Sequence, residues 1–210
     1  MNVWSMYSIT KINVSYLRHL IYICAMKDTE RKIIDATVLC LNMNEKASID
    51  EIANHIGINR RTIHRHFKDR ENLLQCCLQQ MMAKCNHAMN DAYKSSVDPI
   101  KQVEAMFCAA FAIGNEYFFV KKLYNRSSYG QALKNESFDY ESVKEKWFKL
   151  IAGLQNCGVI KNSIPISWIY NLFGGMIDIA IQAQATGDVS VNDIKSLAWK
   201  SFQGSIGIFQ

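Results

Sequence analysis

Proline is nearly missing from this chain: Pro99 and Pro165 are the only two in 210 residues. Long helices can therefore run without interruption, and apolar residues recur at helical spacing over most of the length. An all-α fold follows. Charge of one sign is also scarce. The net charge is +5 with 20% charged residues, too mild a balance to argue by itself for a nucleic-acid partner. A hydrophobic share of 49% excludes a disordered chain. The apolar run 20–26 has seven residues, against the roughly 20 needed to span a bilayer. It also lacks the small-residue cleavage site of a signal peptide. Residues 1–26 are read as an N-terminal extension, either an extra helix or an upstream segment with Met26 as the start.

Cysteine is plentiful but unpatterned. The seven (Cys24, Cys40, Cys76, Cys77, Cys85, Cys108, Cys157) include no Cys-x-x-Cys pair and no Cys/His cluster of zinc spacing. They read as reduced thiols used as small hydrophobes in a cytoplasmic protein, with no metal and no cofactor. Oxidant sensing by Cys76, Cys77 and Cys85 is the alternative, and nothing marks any of them as a thiolate.

The helical pattern starts at 29–41, with Ile34, Thr37, Val38 and Leu41 on one face. Ser48 and Glu51 then have the spacing of a capping box. Ile49, Ile52, Ala53 and Ile56 form an apolar stripe behind it, and Gly57 stops the helix as a left-handed residue would. Asn59 caps a short helix running to about Phe67. Ile58, Ile63 and Phe67 face inward, leaving Arg60, Arg61, His64 and Arg65 outside. Two helices meeting at a glycine turn, the second short and basic, is helix-turn-helix architecture. Asp69 caps the next helix, to about Ser95, with Leu73, Leu74, Cys77, Leu78, Met81 and Cys85 on one side.

Positions 60–70 hold five basic residues (Arg60, Arg61, Arg65, Lys68, Arg70) and one acid, Asp69. That is nearly the whole excess charge of the chain in eleven residues. A merely solvated basic face is the plain alternative. Behind a capped helix and a glycine turn, the cluster instead suits phosphate neutralisation and base-edge contact.

Taken together, the runs 47–53, 57–59, 62–67 and 69–74 resemble the signature of the TetR/AcrR family of transcriptional regulators. The resemblance extends over roughly residues 28–75. It implies a three-helix DNA-binding domain over 27–75 and a larger helical ligand-binding and dimerisation domain over 76–210. It further implies phosphate contacts by Ser48, Thr62, His64 and Arg70, with Asn59, Arg60 and Arg61 placed to meet base edges and Arg65 on the same face. The family usually has tyrosine where His64 stands and often glycine where Arg61 stands. The resemblance therefore implies DNA binding without naming the target sequence. His66 is open between packing beside Phe67 and touching DNA.

Asp98-Pro99 starts the next helix, continuing to about Gly114, followed by an aromatic helical segment to Asn125. Residues 127–139 read as a mobile connection. Helices follow over 140–156 and 165–186, the latter closed by Gly187, and Ser190 with Asp193 caps the last. The 165–186 segment is apolar nearly all round, so both its sides need cover. One cover is its own core. The other, as the resemblance implies, is a homodimer partner met by Trp168, Leu172, Met176, Ile179, Leu197 and Phe202. Gly174-Gly175 suits close helix approach or a kink. The resemblance also implies a ligand cavity among Phe107, Phe111, Tyr117, Tyr124, Trp147, Ile151 and Phe173, although aromatics at helical spacing are more often plain core. The implied function is a dimeric repressor on a palindromic double-stranded operator, released by a small apolar molecule.

Other classes fit the sequence less well. An enzyme would need a nucleophile or base constellation, and no Gly-x-Ser-x-Gly, His-Glu-x-x-His or phosphate-binding glycine loop occurs. His19, His55 and His87 read as surface or packing residues. An amphipathic anchor over 14–26 would make a membrane-surface protein, whereas the regulator reading needs no membrane. An activator, or a regulator without ligand, remains within the DNA-binding class.

Overall fold

The computed structural model describes residues 28–124 and 140–208. The expectations for 1–26 and 127–139 lie outside the described residues, as does the side chain of Tyr124. Among the described residues the elements are all helices: α1 (Asp28–Met43), α2 (Ile49–His55), α3 (Arg60–His66), α4 (Arg70–Lys94), α5 (Pro99–Ala112), α6 (Gly114–Tyr124), α7 (Tyr140–Asn156), α8 (Ile166–Thr186) and α9 (Val191–Ile206). The all-α expectation holds. No single described helix is long and apolar enough to cross a membrane; α5 and α6 reach that length only as a pair bent by 90°.

Local chemistry sets most of the boundaries. Asp69 accepts from the Asn72 N–H at the start of α4, and Asp98 accepts from the N–H groups of Ile100 and Lys101 at the start of α5. Gly187 closes α8 with a φ of 73°, a left-handed conformation that suits glycine. Ser190 departs from expectation. It sits at the N-cap position of α9, but its side chain makes no capping hydrogen bond.

Two buried clusters divide the interior. The first joins α1, α2 and α3 to the front half of α4, through Ile34, Val38, Ile52, Ile63, Leu73 and Leu78. It also takes in Phe119, Val120 and Leu123 of α6. The second gathers the end of α4 with α5, α7, α8 and α9, around Phe107, Trp147, Phe173 and Phe202. Phe107 stacks on Phe202 at 5.7 Å and meets Phe173 edge-on at 5.5 Å. Such pairs add to the area they bury. α4 runs through both clusters, so the expected domain boundary after residue 75 falls inside one continuous helix.

Candidate nucleic-acid interface and interior crevice

The helix-turn-helix is built by short-range bonds. Ser48 Oγ accepts from the Glu51 N–H at 3.1 Å, and a Glu51 carboxylate oxygen accepts from the Ser48 N–H, completing the capping box. Those hydrogen bonds hold the Glu51 carboxyl below its ordinary pKa. Gly57 turns the chain with a φ of 69°. Asn59 Oδ1 accepts from the Thr62 N–H at 2.9 Å and from the Thr62 hydroxyl at 3.1 Å. Ile63 and Phe67 are buried beneath α3. The short helix is therefore seated on the core and capped at its exposed start.

Arg60, Arg61, His64 and Arg65 are all exposed on the outer face of α3, as expected. Two of them are engaged. Arg60 donates from one guanidinium nitrogen to Asp50 at 3.1 Å and from Nε to His64 Nε2 at 3.2 Å. Arg61 and Arg65 make no hydrogen bond or ion pair among the described residues. Ser48 keeps its O–H proton available while its oxygen serves the cap, and Asn59 keeps its amide N–H₂.

Arg70 sits differently from the rest. It is half-buried, and its guanidinium donates to the Ala47 carbonyl, tying the start of α4 to the entrance of α2. One of its five donors is used in this way. His66 is turned inward. Its side chain is 8% exposed, with Nδ1 at 2.9 Å from a Glu30 carboxylate oxygen on α1. Packing against α1, not the outer face of α3, claims this residue.

The expected cavity residues separate into two groups. Tyr117, Trp147 and Phe173 line a narrow crevice between α4, α6, α7 and α8, whose free space, mouth included, is about 510 Å³. Phe107 and Ile151 are fully buried in the second core behind it, and Phe111 packs half-buried against that core. These three are not in the crevice wall, because their faces of α5 and α7 pack against other helices. Sequence reasoning missed Cys85, Met89, Val120, Lys121, Lys144 and Tyr170, which complete much of the wall. At its inner end Lys121 Nζ lies 2.6 Å from Asp178 Oδ2. The ammonium passes close over Gly174, where a Cβ would come within 2.8 Å of it. Gly175 points to open space on the opposite side. Burial, reinforced by Tyr170 and Asp178 nearby, pushes the Tyr117 phenol above its ordinary pKa.

The outer surface of α8 and α9 is apolar and uncovered in the single chain. Trp168 and Ile179 are each 58% exposed and Leu197 is 52% exposed. Leu172 and Met176 lie half-buried beside them. Phe202, expected on the same surface, is fully buried. It belongs to the inward stripe Ile194, Ala198, Phe202 and Ile206 that α9 turns to its own core.

Residues 45–77 match the model of the bacterial regulatory proteins of the tetR family. A curated relative, the HTH-type transcriptional repressor LfrR of Mycolicibacterium smegmatis, is 32% identical over 75 residues. The helix-turn-helix segment is thus similar to that of the tetR-family regulators. The stretch shared with LfrR spans 36% of this chain and 37% of that repressor. The TetR fold extends much further. The crystal structure of LfrR from Mycobacterium smegmatis in complex with proflavine superposes with a TM-score of 0.57 at 20% identity, covering 88% of this chain and 99% of that one. The ketosteroid transcriptional regulator KstR2 of Mycobacterium tuberculosis gives a TM-score of 0.62 at 11% identity, covering 87% and 95%. Among the described residues, no group of three or more His, Cys, Asp or Glu is placed to hold a metal ion.

Proposed function

We propose that this chain is a transcriptional repressor that binds a palindromic operator as a homodimer and leaves it when a small apolar molecule occupies the crevice beside α6. The observation that carries the reading is the exposed row Arg60, Arg61, His64 and Arg65 on a helix seated by its own caps. In this reading Arg61 and Arg60 meet base edges, where a good bidentate pair discriminates by about 1–3 kcal/mol. Asn59 stands with them at the base edges, while Ser48, Thr62, His64, Arg65 and Arg70 hold the phosphates, which makes affinity fall with salt.

The exposed apolar surface of Trp168, Ile179 and Leu197 supports a two-fold partner, with Leu172 and Met176 at its edge. A dimer would set two recognition helices about one DNA turn apart, roughly 34–36 Å. Helix α6 supports the coupling. Phe119, Val120 and Leu123 belong to the first core, while Tyr117, Val120 and Lys121 line the crevice. A ligand that needs α6 displaced would select a different spacing of the reading heads. Such a protein acts in the cytoplasm, beside the chromosome, and catalyses nothing.

Gel-shift titration on DNA upstream of its own gene, against a scrambled duplex, tests the reading. Tight binding to a palindrome there is the expected result. Equal affinity for both duplexes, at several salt concentrations, would sink it.

A further inference from the structure

The crevice wall has a chemical bias that narrows its ligand, if the crevice is the effector site as proposed above. We infer that the ligand is an anion: a compact apolar or aromatic body carrying a carboxylate. Among the described residues that line the crevice, the charged ones are Lys121 and Lys144, and no carboxylate is present. Met89, Val120, Val143 and Phe173 supply apolar wall around them. Trp147, also in the wall, is 1% exposed, and its indole Nε1 is buried without an acceptor among the described residues. A buried donor left without a partner is costly, so an acceptor brought by a ligand gains on that account.

Asp178 is the acid that meets a wall ammonium, and Glu116 lies near the wall residue Cys85 while paired with Lys84. Asp178 Oδ2 holds Lys121, while its Oδ1 is buried with no partner among the described residues, and the residue is not part of the wall. Lys121 is thus already met by a negative charge. Lys144 is the ammonium that a variant can remove without stranding a buried acid. The Lys144 ammonium and an orphan N–H, beside a Lys121 already balanced by Asp178, favour an anionic acceptor, and disfavour a planar cation such as the proflavine bound in the LfrR structure.

The test titrates the full chain by calorimetry with three ring compounds: 2-naphthoate, 2-naphthalenemethanol and proflavine. Naphthoate is expected to bind at least about tenfold more tightly than either of the others. Lys144→Gln should remove most of that preference and leave the alcohol's affinity unchanged. Trp147→Phe, which keeps the ring volume and deletes the N–H, should also weaken naphthoate several-fold. Proflavine or the alcohol binding as tightly as naphthoate would overturn the inference, as would a Lys144→Gln protein with undiminished preference. Failure of all three to bind overturns it as well. A gel shift on the same preparation reports separately whether the repressor reading survives.

Discussion

Asp50 and Arg60 form an ion pair of 3.1 Å that joins the two helices of the helix-turn-helix. Both side chains are mostly exposed, so the pair adds little to stability. It does hold Arg60 back against α2. Under the proposed function, DNA binding by Arg60 requires the pair to open, and the Asp50 carboxylate repels phosphate.

Asp50→Asn should therefore tighten operator binding several-fold, while Arg60→Ala weakens it. Arg61→Ala should weaken operator binding more than scrambled-DNA binding, by about 1–3 kcal/mol at the operator. Titrations at fixed salt check all three. Equal loss of both affinities in Arg61→Ala would reassign that residue from bases to backbone.

The cap of α2 gives a stability prediction. Ser48→Ala removes the acceptor for the Glu51 N–H and should cost about 1 kcal/mol, read from urea unfolding. The acid side follows from Glu51, whose carboxyl is held below its ordinary value. The stability it lends is present above about pH 4.5 and is lost as pH falls through its lowered folded value. Glu51→Gln should flatten that part of the stability profile.

On the outer face, Leu197→Glu or Ile179→Glu should convert a dimer to a monomer in sedimentation and abolish operator binding. The helical circular dichroism should persist, because both side chains lie outside the core. Phe202→Ala should instead destabilise the fold itself, by about 3–5 kcal/mol.

The buried thiols predict behaviour at high pH. Burial pushes the Cys85 thiol up to about 12, and pushes Cys77 higher still. A raised folded pKa means that stability is full below the ordinary value near 9 and is lost as pH rises towards the folded value. Melting temperature should fall across pH 9–11, less steeply in Cys85→Ala. Both thiols should resist alkylation in the native state, whereas the exposed Cys157 reacts. Fast modification of Cys77 or Cys85 without unfolding would contradict this.

The reading head was legible because its signals are local. Ser48 with Glu51, Gly57, Asn59 and Asp69 each act within a few residues, where sequence spacing is spatial spacing. The bond from Arg70 to Ala47 spans 23 positions and the bond from His66 to Glu30 spans 36. No periodicity encodes such distances. The crevice was half legible for a related reason. Helical spacing tells that Phe107, Tyr117 and Trp147 face inward, but not which of them meets a neighbouring helix and which meets free space. Leu197 and Phe202 show the same limit on α9, where one apolar residue is exposed and the other is sealed in.

The 90° bend between α5 and α6 also bears on how separable this protein's parts are. α6 leaves the second cluster and completes the first with Phe119, Val120 and Leu123. A graft that moved the reading head onto another sensor by cutting after residue 75 would bare that apolar seam on both fragments. A cut after residue 124 would keep α6 with the head but would bare Met106 and Phe107 of α5, which belong to the second cluster, so neither cut separates the parts cleanly.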